Sequence, residues 1–198
     1  MAAAERDEPA RTTWHDEVSA LDPAQFVFVD ETGSHRGMTP RYARAPRGQR
    51  AHGRAPARRG TNLTLIAALS LAGMGAAMTL EGAADGAACE AYVREVLGPN
   101  LGPGQIVLWD NVRTHQGEGL RALIEARGCR LIFLPPYSPD FNPIEEAFSK
   151  LKAFLRRAEA RTTGALEAAI GAGLATITAR DAAGWFAHCG YHPLAQPA

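Results

Sequence analysis

A mixed α/β sheet with helices on both faces is what this sequence predicts, and three features carry the prediction. Three short apolar runs, FVFVD (26–30), IVLWD (106–110) and RLIFL (130–134), have the length and β-branched or aromatic content of buried strands. Stretches with apolar residues at helical spacing separate or follow them. An uncharged segment, Thr61 to Leu80, divides into two apolar halves that suit a hairpin. A hairpin first, then strands alternating with helices, combines antiparallel and parallel pairing in one sheet.

The elements follow in order. The 198 residues suffice for one domain, expected over 26–192 between a polar N-terminal lead (1–25) and a short C-terminal tail (193–198). FVFVD opens the domain and ends on an acid, Asp30, with Glu31-Thr32-Gly33 beyond it in a turn-like order. LTLIAAL and AAMTL flank a turn at SLAGMG. CEAYVREVL (89–97) sets Tyr92, Val93, Val96 and Leu97 at helical spacing and stops at Gly98-Pro99. IVLWD repeats the first strand's pattern and again ends on an acid, Asp110. GEGLRALIEARG (117–128) gathers Leu120, Leu123 and Ile124 on one face, with Gly128 as its C-terminal cap. After RLIFL comes a proline-rich loop, then a helix over 143–157 and an Ala-rich helix over about 164–179. DAAGWFAHCGYH closes the domain.

Composition excludes several classes. The three cysteines, Cys89, Cys129 and Cys189, are odd in number, widely spaced and without a CxxC pair, which argues against a disulfide framework and fits a reducing cytosol. His188, Cys189 and His192 lack a distant ligand pair and read as a packed chain end instead of a zinc site. No apolar core follows the polar N-terminus, so an export signal is not expected. The uncharged twenty residues of 61–80 have the length of a membrane span, but Ala, Gly, Ser and Thr dilute them and Gly73 and Gly75 interrupt them.

Net charge is zero, yet its distribution is uneven. No acid occurs from Thr32 to Leu80, while eight arginines lie between His35 and Arg59: Arg36, Arg41, Arg44, Arg47, Arg50, Arg54, Arg58 and Arg59. Arginine clusters interspersed with Gly and Pro suit contact with a phosphate backbone, and equally a solvated loop.

In open α/β sheets the functional crevice lies beyond the carboxyl ends of the parallel strands. Asp30 and Asp110 are expected at two such ends, where neighbouring carboxylates converge and call for a cation. LPPYSPDFNPIEEAF (134–148) supplies three further acids. Asn142-Pro143-Ile144-Glu145 has the order N-cap, N1, N2, N3 of a helix start, in which Glu145 could also serve a capping box. At 100° per residue, Ile144, Phe148, Leu151 and Leu155 form the core stripe, Glu145 borders it and Glu146 points away. Asp140 precedes the helix. Glu145 is therefore the acid that a rigid element delivers toward the sheet. Three hard oxygen donors select magnesium or manganese, and two such ions suit phosphodiester chemistry.

FVFVDETGS, IVLWDNVRTH and LPPYSPDFNPIEEAFSKLK, with 34 residues between Asp110 and Glu145, resemble the DDE transposases of the mariner-like superfamily, especially their bacterial insertion-sequence branch. WFAHCGY resembles that branch's C-terminal end. The resemblance spans roughly 26–192 and implies an RNase H-like fold with Asp30, Asp110 and Glu145 as catalytic, metal-binding acids. It also implies DNA cleavage at transposon ends by water and attack of the freed 3′ hydroxyl on target DNA, usually at TA. Such enzymes act as homo-oligomers on paired ends, which for this chain means a cytoplasmic, nucleoid-associated bacterial protein. Asn111, His115 and Tyr137 are expected beside the acids, where Asn111 and His115 contact DNA or support the metals, and Arg36, Arg41, Arg44, Arg47 and Arg50 on DNA phosphates. Family members carry an N-terminal helix-turn-helix part, and about 25 polar residues precede the first strand here, so the chain is expected to be the catalytic half alone, either a fragment or the product of a second reading frame, with a separately encoded helix-turn-helix part as its partner in the second case. An inactive DNA-binding remnant and another RNase H-like nuclease are the alternatives.

Overall fold

Five strands form one sheet in the computed structural model, which describes residues 6–57, 60–111 and 118–192. They are β1 (Phe26–Ser34), β2 (Leu63–Ser70), β3 (Gly73–Glu81), β4 (Ile106–Trp109) and β5 (Arg130–Phe133), in spatial order β3-β2-β1-β4-β5. The β1–β2 and β2–β3 pairs are antiparallel, and the β1–β4 and β4–β5 pairs are parallel. The uncharged twenty residues are thus the β2–β3 hairpin. No helix among the described residues is long and apolar enough to cross a membrane.

Strand alternation divides the apolar residues between two cores. Phe26, Phe28, Leu65, Ala67, Ile106 and Leu108 face α4 (Ile144–Ala158), α5 (Thr163–Leu174) and α6 (Ala179–His188). Val27, Val29, Ile66, Val107, Trp109 and Leu131 face α2 (Gly86–Tyr92) and α3 (Glu118–Glu125). Helices therefore cover both faces, as predicted. The stripe of Ile144, Phe148, Leu151 and Leu155 is buried in the first core. A bulge at Ala76 in β3 turns its carbonyl to the Tyr92 hydroxyl, 2.7 Å away.

Several elements differ from the sequence-based expectation. Asp30 is not the last residue of its strand, and DETG is not a turn. Parallel pairing of β1 with β4 stops at Val29–Trp109, but β1 continues against β2 through Ser34–Leu63, so backbone hydrogen bonds carry the polar residues onward as strand. The Ala-rich helix ends at Leu174, because Thr178 and Asp181 form a capping box that starts α6. Asn142 does not cap α4, and no other side chain among the described residues does. The polar lead holds a twelve-residue helix, α1 (Glu8–Ser19), capped by the Asp7 side chain.

Helix α1 docks through polar and aromatic contacts. Trp14 donates from its indole to the Phe133 carbonyl at 2.9 Å and stacks on Phe141. Arg11, 4% exposed, lies over the Phe141 ring and donates to Asp140 at 2.6 Å. Arg6 reaches the same carboxylate oxygen at 3.0 Å. Burial alone would raise the Asp140 carboxyl, but the Arg11 hydrogen bond and both guanidinium charges hold it below the usual range. Such a group stabilises the fold above its unfolded pKa, and that contribution is lost as pH falls through the folded value. Arg11→Met removes a hydrogen bond from a buried guanidinium to a half-exposed carboxylate, which after solvent screening should cost about 1 kcal/mol at neutral pH. Urea unfolding at several pH values checks this, the difference from wild type shrinking below about pH 4.

The segment between β1 and β2 has no helix or strand among its described residues. Its root is pinned by Arg161, which donates to the carbonyls of Arg36 at 3.0 Å and Met38 at 2.9 Å.

Candidate active site

Strand parity explains how the acids meet. Asp30 follows Phe26 and Phe28 in the two-residue repeat, so its side chain leaves the sheet on the α4 face. Asp110 has the same parity after Ile106 and Leu108, one residue past the end of β4. Since pairing of β1 with β4 ends at Val29–Trp109, the acids are the next residues on adjacent strands. Leu134, Pro135 and Pro136 then leave β5 on the same edge and lead into α4.

Asp30, Asp110 and Glu145 line one cavity of about 430 Å³ with Asn111, Tyr137 and Asn142. Among the acids of the proline-rich stretch, Glu145 is the one that joins Asp30 and Asp110 there. Asp140 is turned to Arg6 and Arg11. Glu146 borders a neighbouring cavity with Asp140, His188 and Cys189, which Glu145 and Asn142 also line, but it does not line the cavity of the acids. One helical position separates Glu145 from Glu146, and the buried stripe decides which faces the sheet's acids.

The electrostatics suit a cation. Asp30 is 8% exposed, and burial pushes its carboxyl up to about 8. The N–H of Glu31 opposes that shift, while the charges of Glu145, Asp110 and Glu31 add to it. A divalent ion in the cavity would turn this mutual repulsion into attraction. Carboxylates and carboxamides, with no thiol or imidazole among the described cavity residues, form a hard donor set that fits magnesium or manganese. Among the described residues, no three acidic, His or Cys side chains form a ready-made ligand cluster, so the acids line the cavity without closing on one point.

Other expected site residues are distributed unevenly. Asn111 and Tyr137 are at the cavity. Tyr137 has φ of 56°, a left-handed conformation uncommon for a side chain of this size, and the residue is 56% exposed. Ser138 steadies that turn by donating to the Pro136 carbonyl at 3.1 Å. Arg41, Arg44, Arg47 and Arg50 are exposed and Arg36 is half-buried, none of them lining the cavity. Their loop leaves β1 at Ser34, about 13 Å of extended strand beyond Asp30 and on the same edge of the sheet. His115, Arg58 and Arg59 lie outside the described residues.

At the chain end, Cys189 and Tyr191 are buried while His188 and His192 are exposed, which fits packing of the chain end. Desolvation pushes the Cys189 thiol up to about 12, with Glu146 and Asp140 adding to the shift, so it is held as the neutral thiol.

Sequence reasoning missed two site features. Asn142 was expected to cap α4, but its side chain donates to Asp30 at 2.9 Å. Arg11 anchors the turn before α4 from a segment with no apolar periodicity to announce it.

A family model described as DDE superfamily endonuclease matches residues 25–167. No curated protein sequence matches the chain. Among solved structures, the mariner Mos1 paired-end complex with Mg superposes with a TM-score of 0.74 at 17% identity, covering 96% of this chain and 63% of that one. A pre-cleavage Mos1 transpososome gives 0.71 at 16% identity, covering 96% and 61%. The Mos1 mariner transposase catalytic domain gives 0.63 at 14% identity, covering 96% and 91%. This likeness carries the RNase H-like fold. The chain spans about three fifths of the Mos1 chains in the assembled complexes.

Proposed function

Because the chain belongs to the DDE superfamily of endonucleases, we propose that it is the catalytic domain of a transposase, with Asp30, Asp110 and Glu145 as its metal-binding catalytic acids. The observation that carries the reading is their convergence in one cavity from β1, the end of β4 and the start of α4. The Mos1 relatives include a strand transfer complex and paired-end complexes with Mg and with Mn, which supports DNA as substrate and a divalent metal as cofactor.

Asp30, Asp110 and Glu145 would hold the divalent cations, two on this reading, whose chemistry would be to activate the attacking oxygen and stabilise the departing one. The protein's own contribution is positional. Asp30 is held by backbone and side-chain hydrogen bonds, Asp110 by the end of a buried strand, and Glu145 by the first turn of a helix whose stripe is locked in the core. Tyr137 and the prolines wall the cavity and limit the direction from which a phosphodiester enters. The same reading gives first hydrolysis at a transposon end, then attack of the freed 3′ hydroxyl on target DNA. It assigns the chain to the bacterial insertion-sequence branch, acting near the nucleoid as a homo-oligomer together with a helix-turn-helix part that recognises the transposon ends.

Plasmid nicking tests this. The wild-type chain should cut supercoiled DNA with Mg²⁺ or Mn²⁺ and stop when EDTA removes the ion. Cutting that persists in EDTA would refute the metal-dependent reading.

A further inference from the structure

Asn142 is the part of the proline-rich motif that the proposed chemistry leaves without a task. It is 4% exposed and stands between the turn at 139–141 and α4. Its Nδ2 donates to Oδ2 of Asp30 at 2.9 Å, although 112 positions separate the two in sequence. Its main-chain carbonyl accepts the Glu145 N–H at 3.2 Å. One residue thus touches the side chain of the first acid and the backbone of the third. The second oxygen of Asp30, Oδ1, accepts the Glu31 N–H at 2.7 Å, so both carboxylate oxygens are held.

The orientation of the amide follows from chemistry. Turned over, it would set its own oxygen against a carboxylate oxygen. In the orientation present, Oδ1 of Asn142 is buried and has no hydrogen-bond partner among the described residues. That is a destabilising arrangement, and the helix gains no side-chain cap in exchange. A buried polar group kept at the expense of stability marks a positional task.

Resting on the reading of Asp30 and Glu145 as ligands, we infer that Asn142 is a positioning residue of the cation site, fixing the Asp30 carboxylate and the turn that presents Glu145 as one unit before a cation arrives. Partners that orient ligands in this way govern metal affinity as well as geometry.

The test uses the full chain and Mn²⁺ alone, with free ion read by electron paramagnetic resonance and Tm measured without metal. Asn142→Leu and Asn142→Ala should each bind Mn²⁺ about 10- to 100-fold more weakly than wild type. The metal-free Tm of Asn142→Leu should stay close to wild type, because loss of the unpaired Asn142 acceptor offsets loss of the hydrogen bond to Asp30. Affinity within about threefold of wild type in either variant, or unfolding of both, would overturn the inference. Asp110→Asn separates the two claims. If Asp110→Asn loses Mn²⁺ while Asn142→Leu keeps it, only the role of Asn142 fails. A wild-type chain that does not bind Mn²⁺, or an Asp110→Asn chain that binds as tightly as wild type, overturns the reading of the acids and this inference together.

Discussion

Asp30→Asn, Asp110→Asn and Glu145→Gln should each lower Mg²⁺-dependent DNA nicking by at least about a thousandfold, a loss of about 4 kcal/mol in transition-state stabilisation. Each change keeps shape and removes one anionic donor from the shared cavity. Glu146→Gln is the matched control, since it neutralises the next helical position, which does not line the cavity of the acids. It should cut within about threefold of wild type, because its side chain does not line the cavity that Asp30 and Asp110 share. Single-turnover nicking of supercoiled plasmid, with circular dichroism to verify folding, measures all four. Equal losses in the Glu145 and Glu146 variants would show that overall charge matters and that the assignment to one helical face is wrong.

Replacing Arg41, Arg44, Arg47 and Arg50 together by Ala should weaken DNA binding about a hundred- to a thousandfold at 100 mM salt. The mechanism predicts a second number. If all four contact phosphates, the slope of log affinity against log salt should become shallower by about 3 to 4. Fluorescence anisotropy with a labelled duplex over a salt series gives both. The side chains are exposed and the loop leaves the sheet on the edge that bears the acids, so their removal should spare the fold. An unchanged salt slope would make the segment a solvated loop, the other meaning its charge pattern allows.

Apolar periodicity made most of the sheet and the α4 stripe legible in the sequence. Strands with an unbroken apolar run, such as Val107 to Trp109, have one structural use in a chain of this size, and they appear where expected. Glu145 could be separated from Glu146 by helical phase, because the stripe beside them is apolar throughout. What stayed hidden depends on long-range polar contact. The strand at Glu31 to Ser34 exists because β2 pairs with it, and nothing local in DETGS signals that. The α1 helix is held by Arg11 and Trp14 on Asp140, Phe141 and the Phe133 carbonyl, partners more than 110 residues away. Asn142 misled for a related reason. Its local order favours a helix cap, but the tertiary partner Asp30 takes the side chain. The break before α6 was legible in principle, since Thr178 and Asp181 carry the capping-box spacing.

The aromatic closure of the first core bears on the order in which the supports of the cavity can form during synthesis. Phe186 packs edge-on against Phe28, and Tyr191 against Phe26 and Phe28, the two residues that precede Asp30 on its face. The Tyr191 hydroxyl also donates to the Phe141 carbonyl at 2.7 Å, in the turn that leads to Asn142 and Glu145. These late residues leave the ribosome after all three acids have emerged. A nascent chain therefore carries every acid of the cavity before it can lock the strand and turn that hold them. The supports of Asp30 and Glu145 are thus completed from the far end of the described residues, by side chains that do not themselves line the cavity.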